Sequence, residues 1–191
     1  MSPYLTTERM RLRHLREADL DRLVELNADP GVMRFLDRRP PAREAVAAEI
    51  AELVAMGERH LGYGRFAAED HRGAFLGWFG LIVTAEGPAA PSLGYRLCRA
   101  HWGKGLATEG GRALVDRAFT DLGAERVTAE TMSVNTASRR VMEKCGLRYV
   151  RTFHQHFDDP LPGTEHGEVR YEITRQAWHR ARTDLGRRTT A

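Results

Sequence analysis

At 191 residues, with 42% hydrophobic and 29% charged side chains, the chain has the size and make-up of one soluble globular domain. Its 29 basic and 26 acidic residues leave a net charge of +3, too balanced to point to nucleic acid. No apolar run of about 18 residues and no signal-peptide pattern points to a membrane or to export. Two cysteines, Cys98 and Cys145, give no disulfide framework; a cytoplasmic setting with both as small buried side chains is expected.

Residues 10–15, MRLRHL, alternate apolar and basic side chains as a half-buried strand does. Helical stretches follow at EADLDRLVELN (17–27) and REAVAAEIAELVAM (43–56), the second with Val46, Ile50, Leu53 and Val54 on one face. GYGRFAAE (62–69), AFLGWFGLIV (74–83) and SLGYRLC (92–98) read as strands, the last two divided by the turn-rich AEGPAAP (85–91). Residues 104–122 return to helical spacing through Leu114, Val115, Ala118, Phe119 and Leu122, closed by Gly123. RVTAETM (126–132) is a strand, and NTASRRVMEKC (135–145) a helix ended by Gly146. LRYVRTFHQHF and GEVRYEIT are the last strands, joined through DDPLPGTEHG. A short helix at 175–183 and a flexible tail from about residue 184 close the chain, with Arg180, Arg182, Arg187 and Arg188 in solvent. The order predicts one α/β domain, residues 1–191 with a core at about 5–174, built on a mixed sheet.

The stretch AHWGKGLATEGG (100–111) sets Lys104, one of two lysines, between two glycines at the mouth of a helix. Glycine lets backbone approach a ligand closely, and a helix N-terminus offers phosphate both free N–H groups and the positive end of a dipole. The nucleotide P-loop pattern fails, because Gly105 rather than Ser or Thr follows Lys104 and position 98 is Cys. The dinucleotide pattern lacks its third glycine, where Thr108 stands. It stays a rival because a strand precedes, a helix follows and Glu130 ends the next strand, although only one β–α–β unit is available. Glycines that merely allow a tight helix entry are a third reading.

Trp102-x-x-Gly105-x-Ala107, with GYRL before it and RALVDRAF and N-x-x-S-R-R-V-M-E-K-C-G-L after it, resembles the GCN5-related N-acetyltransferases (GNAT). Their pyrophosphate loop reads R/Q-x-x-G-x-G/A; the glycine and alanine match, and Trp102 stands where Arg or Gln opens the motif. LTTERMRLRHLREADLDRL is also similar to the branch of ribosomal-protein and protein-N-terminal acetyltransferases, so the resemblance spans about residues 5–173. It implies a mostly antiparallel sheet flanked by helices and acetyl-CoA as co-substrate. The pyrophosphate would be held by backbone N–H groups of Gly103, Lys104, Gly105, Leu106, Ala107 and Thr108. Lys104 either adds charge there or points to solvent.

Acetyl transfer asks for a neutral amine, a stabilised oxyanion and help for the departing thiolate. The base that many relatives carry two residues ahead of the Gly-Tyr is Ser92 here, which is no base. Relatives acting on ribosomal protein carry a Glu five residues before the motif Asn, which is Glu130. Its apolar context, Val127–Met132, disfavours charge and suits a base; a surface or ion-paired strand carboxylate is the alternative. The family's Tyr acid falls on Met142, which donates no proton. Ser138, one turn earlier on the same face, matches the Ser that assists the departing sulfur in N-terminal relatives, or is a first-turn helix serine. Asn135 is either the family's cofactor-contacting Asn or an ordinary N-cap. The resemblance places the oxyanion donor among backbone N–H groups near Leu97 and Cys98, and Glu109 on the first helical turn supports the dipole.

His154, His156, Asp158, Asp159 and His166 lack the spacing of a closed zinc site, so no metal is expected; the family resemblance instead implies that their loop is a wall of the acceptor pocket. The expected activity is acetyl transfer from acetyl-CoA to a primary amine of a protein N-terminus or a small molecule, by direct attack in a ternary complex. Ribosomal proteins, polyamines and antibiotics remain open as acceptors, and a non-catalytic acyl-CoA-binding regulatory domain is the alternative. Neither nucleic acid nor membrane is expected as a partner, and the chain is expected to be a monomer or homodimer.

Overall fold

Among the described residues eight strands lie in one sheet: β1 (Leu5–Thr6), β2 (Arg11–His14), β3 (Gly64–Glu69), β4 (Phe75–Thr84), β5 (Gly87–Leu97), β6 (Arg126–Met132), β7 (Arg148–Phe153) and β8 (Glu168–Thr174). Their spatial order is β1-β2-β3-β4-β5-β6-β8-β7. Every neighbouring pair is antiparallel except β5 and β6, so the expected mixed, mostly antiparallel sheet is what forms. Among the described residues six α-helices accompany it: α1 (Leu20–Ala28), α2 (Pro30–Met33), α3 (Arg43–Arg59), α4 (Leu106–Thr120), α5 (Thr136–Lys144) and α6 (Arg175–Thr189). This computed structural model describes residues 3–189, with side-chain surroundings through residue 183.

Successive strand residues point to opposite faces, and the two faces carry separate cores. Leu93, Leu97, Val127 and Ala129 pack with Leu114, Phe119, Met142 and Trp178 beneath α4, α5 and α6. On the other face Ala67 and Trp78 pack with Leu23, Leu26, Val46 and Ile50 of α1 and α3. Val46 and Ile50 are buried as their spacing predicts, whereas Val54 is 36% exposed and lies off that stripe. Gly110 and Gly111 sit inside α4 despite their poor helix propensity because of close approach. A Cβ on Gly110 would stand 2.5 Å from the Phe79 ring, and one on Gly111 2.7 Å from Cys145 Sγ. The glycine pair thus lets α4 lie tight on the sheet and against α5.

Several boundaries differ from expectation. Only Ala85 and Glu86 make the turn before β5, and the remainder of AEGPAAP is strand. The helix expected at 104–122 begins at Leu106, because Gly105 takes φ +79° as its N-cap. The last-but-one strand stops at Phe153, and residues 154–157 join the loop that follows. Strand β1 and helix α2 were not expected; α2 is started by Pro30 after Asp29, whose Oδ1 accepts the Gly31 N–H at 2.8 Å. Helix α6 runs past the expected end at 183 to Thr189. The side chains of Arg187 and Arg188, and residues 190–191 of the expected tail, lie outside the described residues. No helix among the described residues is long and apolar enough to cross a membrane. Both cysteines are free; burial pushes the Cys145 thiol up to about 12 and moves the half-buried Cys98 in the same direction, so neither is a reactive thiolate near neutrality.

Candidate active site

Strands β5 and β6 are registered only at Ser92 against Thr128. Beyond that point both continue, β5 paired to β4 as far as Leu97 and β6 to β8 as far as Met132, but no longer to each other. The sheet is therefore split between Leu93–Leu97 and Ala129–Met132. The Cys98 N–H donates to Leu76 O at 2.9 Å, which fixes the phase of the β4–β5 ladder. Antiparallel alternation then turns the N–H groups of Tyr95 and Leu97 away from β4 and into the split. Of the two expected oxyanion donors, Leu97 fits and Cys98 does not, since its N–H is already taken. The Leu97 carbonyl accepts the Trp102 indole N–H at 2.8 Å, which anchors the half-exposed Trp102 at the start of the loop.

The glycine loop lies beside the mouth of this split. Gly103 and Gly105 both take positive φ, +72° and +79°, and among the described residues no N–H from 103 to 108 has an acceptor. A run of free amides ending at a helix N-terminus is an anion cradle. Its frame is rigid: Leu106 is buried in the core, and Thr108 O accepts the Cys145 Sγ–H at 3.7 Å. Lys104 is exposed and its carbonyl accepts Arg9 Nη1 at 2.8 Å. Arg9 Nε also donates to Glu109 Oε2 at 2.6 Å, and Thr7 Oγ1 to Glu109 Oε1 at 2.6 Å. Burial pushes the Glu109 carboxyl up, but these bonds outweigh it and hold it below the usual range. Arg9 is thus a cation pinned beside the cradle. It went unread in the sequence because it lies 95 residues from Lys104.

Across the split, Asn135 caps α5: its Oδ1 accepts the Ser138 N–H at 3.2 Å and its Nδ2 donates to Thr131 Oγ1 at 3.1 Å. The N-cap reading of Asn135 is therefore realised. Ser138 Oγ lies 2.9 Å from Tyr95 Oη, which also donates to Ser138 O at 3.0 Å. Burial drives the Tyr95 hydroxyl above its ordinary range, so it stays a neutral phenol. Tyr95 was overlooked in GYRL, although period-2 alternation puts it on the same face as Leu93 and Leu97.

The acetyltransferase (GNAT) domain family model matches residues 9–148 of this chain. The chain belongs to the GNAT acetyltransferases. An Aspergillus fumigatus protein named FsC-acetyl coenzyme A-N(2)-transacetylase is 38% identical over 186 residues, covering 93% of this chain and 79% of that protein. Among solved structures, the ribosomal L7/L12 alpha-N-protein acetyltransferase RimL in complex with coenzyme A superposes with a TM-score of 0.76 at 17% identity, covering 91% of this chain and 98% of that one. The spermidine N-acetyltransferase of Vibrio cholerae, with CoA and spermine, gives 0.73 at 21% identity over 88% and 97%. These two likenesses concern the fold.

In this acetyltransferase Glu130 does not sit in the apolar setting its neighbours in sequence suggested. Its side chain is 41% exposed and meets Arg170 Nη1 at 3.4 Å, while Arg170 Nη2 reaches Glu86 at 2.5 Å. The carboxylate is half-exposed and ion-paired because Glu130 points to the face opposite Val127 and Ala129. On that face, two residues along β8 from Arg170, burial first and then the Glu130 charge push the Glu168 carboxyl above its usual range. Glu168 was missed because the pairing of β6 with β8 is not written in either strand.

The loop from His154 to Glu165, with Arg38 opposite, lines an open cavity of about 500 Å³. No group of three or more His, Cys, Asp or Glu side chains able to hold a metal occurs among the described residues. A second cavity of about 220 Å³ adjoins it, sharing Arg38 and Leu161 and reaching Asn27 at the end of α1.

Proposed function

We propose that this acetyltransferase moves the acetyl group of acetyl-CoA to a primary amine, of a protein N-terminus or a small molecule, by direct attack in a ternary complex. The observation that carries the reading is the run of acceptor-free amides at 103–108 leading into a split between β5 and β6. The residues suit acetyl-CoA: the amides and Arg9 suit its pyrophosphate, and the N–H groups turned into the split suit its amide-bearing arm. There the Leu97 N–H would stabilise the oxyanion as the amine nitrogen bonds to the thioester carbon. On collapse the C–S bond breaks, and the Ser138 hydroxyl, which donates to Tyr95 Oη while the Tyr95 proton is given to Ser138 O, turns its proton to the departing thiolate. Glu130, facing the other side of the split, would take the proton the amine loses. The name of the Aspergillus relative, an N(2)-transacetylase, supports a nitrogen acceptor.

The test is thiol release from acetyl-CoA with a panel of amines, with the product mass measured. Acetylated amine is expected; acetyl-CoA binding with no turnover of any amine would favour the regulatory domain. Ser138→Ala is expected to lower turnover while acetyl-CoA affinity stays nearly unchanged, because its hydroxyl acts on the leaving sulfur. Unchanged turnover under chemistry-limited conditions would reduce Ser138 to a helix serine held by Tyr95.

A further inference from the structure

Asn27 closes the C-terminal end of α1 and is 4% exposed, a buried polar side chain that lines the 220 Å³ cavity. Its Oδ1 accepts a hydrogen bond from Arg96 Nη1. A guanidinium only donates, so this bond fixes which end of the amide is oxygen and leaves Nδ2 as the uncommitted end of a side chain that lines the cavity. Among the described residues that Nδ2 has no acceptor. It is not among the sealed side-chain atoms that lack a partner, so it is open to the cavity, where it can donate to a ligand that arrives from outside.

The charges around it point the same way. Arg34 lines the cavity with its guanidinium 5.0 Å from the Phe35 ring and has no carboxylate partner among the described residues. Arg38, by contrast, is occupied by Asp159 at 2.8 Å and by the Pro160 carbonyl. The one acid on the wall, Asp37, accepts the Arg39 N–H at 3.2 Å. Behind Asn27, Arg96 lies 5.4 Å from the Trp78 ring centre and Arg65 lies 4.2 Å from it. Arg65 is paired with Glu49 at 2.5 Å; among the described residues Arg96 has no carboxylate partner, and its buried Nε has no hydrogen-bond partner. Burial, then Arg65, pull Arg96 down to about 10, the direction expected of a cation short of a counter-charge. Arg96 also directly precedes Leu97, whose N–H faces the split. The cavity is therefore one hydrogen bond away from the strand that carries the oxyanion donor.

Resting on the transfer reading above, we infer that the acceptor amine carries an anionic oxygen group of the carboxylate class, seated in the 220 Å³ cavity against Asn27 Nδ2 and Arg34. Arg96 is a positioning residue that fixes the Asn27 amide and adds positive potential behind it. At about 30 Å³ per water the cavity has room for a carboxylate and a few carbons. A polyamine would instead bring ammonium groups against Arg34 and Arg96, a like-charge approach that disfavours binding.

The probes are glutarate and 1,5-diaminopentane, matched in length and opposite in charge, titrated calorimetrically onto the CoA-loaded protein. Glutarate is expected to bind at least tenfold more tightly than the diamine. Arg34→Gln, a surface change that leaves the cores intact, should weaken glutarate at least tenfold with CoA affinity unchanged, and Asn27→Ala should do the same if the variant remains folded. No glutarate binding, binding indifferent to Arg34→Gln, or tighter binding of the diamine overturns the inference. The amine panel separates the two readings. A panel won by polyamines sinks the anionic acceptor and leaves acetyl transfer standing. A silent panel with Arg34-dependent glutarate binding removes the transfer reading and keeps the anion site.

Discussion

Gly105→Val weakens acetyl-CoA binding at least tenfold, about 1.4 kcal/mol. Two effects converge on this position. Gly105 holds φ +79° at the N-cap of α4, a conformation that a β-branched residue adopts only at about 1–3 kcal/mol. A side chain there would also project into open space, its nearest neighbour being Arg9 Nη2 at 3.5 Å, where a phosphate must approach the amides. Strain alone could mimic blockage, so the control is Gly123→Val. Gly123 follows α4 at φ +72°, and a Cβ there meets nothing within 4 Å. Gly123→Val should lower the melting temperature while leaving acetyl-CoA affinity intact; Gly105→Val should lose affinity even when compared at equal stability. Calorimetry showing normal acetyl-CoA affinity in folded Gly105→Val would remove the loop assignment. NADH binding as tight as acetyl-CoA binding would bring back the dinucleotide alternative.

The features legible in the sequence were those set by local periodicity. Val46 and Ile50 at helical spacing, Val127 and Ala129 at strand spacing, and Asn135 before a helix all do what their neighbours in sequence say. Strand β5 was shortened by two prolines that read as turn. Pro91 is tolerated because its position belongs to the β6 side of the ladder, where only its carbonyl is called on, by Thr128 Oγ1 at 3.4 Å. What was not legible is non-local. The split between β5 and β6 is a place where pairing stops, and no residue type announces it. The Glu130–Arg170 ion pair joins residues 40 apart in sequence, and Arg96 meets Asn27 across 69. The face that Glu130 occupies followed from period-2 alternation; its partner could not.

Glu130→Gln lowers the rate of acetyl transfer by about 10²–10⁴-fold at neutral pH, the range for removing a positioned general base. The substitution keeps the shape of the side chain. It also spares the fold, because the half-exposed pair with Arg170 is worth at most about 1 kcal/mol and Arg170 retains Glu86. A rate loss at unchanged melting temperature therefore belongs to the chemistry. The sign of its pH dependence separates a base from a positioning group. An α-amine with pKa near ~7.7–8.0 is largely protonated at pH 7, and a lysine-type amine near ~10.4 almost wholly so. As pH rises the free amine forms unaided, so a missing base matters less and the deficit of Glu130→Gln should shrink, sooner for an α-amine than for a lysine-type one. A deficit that stays constant with pH would mean that Glu130 and Arg170 together orient the acceptor without taking its proton. Glu168→Gln is the companion measurement, since that carboxyl is held above its usual range on the same face. Full activity in Glu130→Gln with a pH-dependent loss in Glu168→Gln would move the base two residues along β8 from Arg170, onto a carboxyl that the β6 strand alone could not reveal.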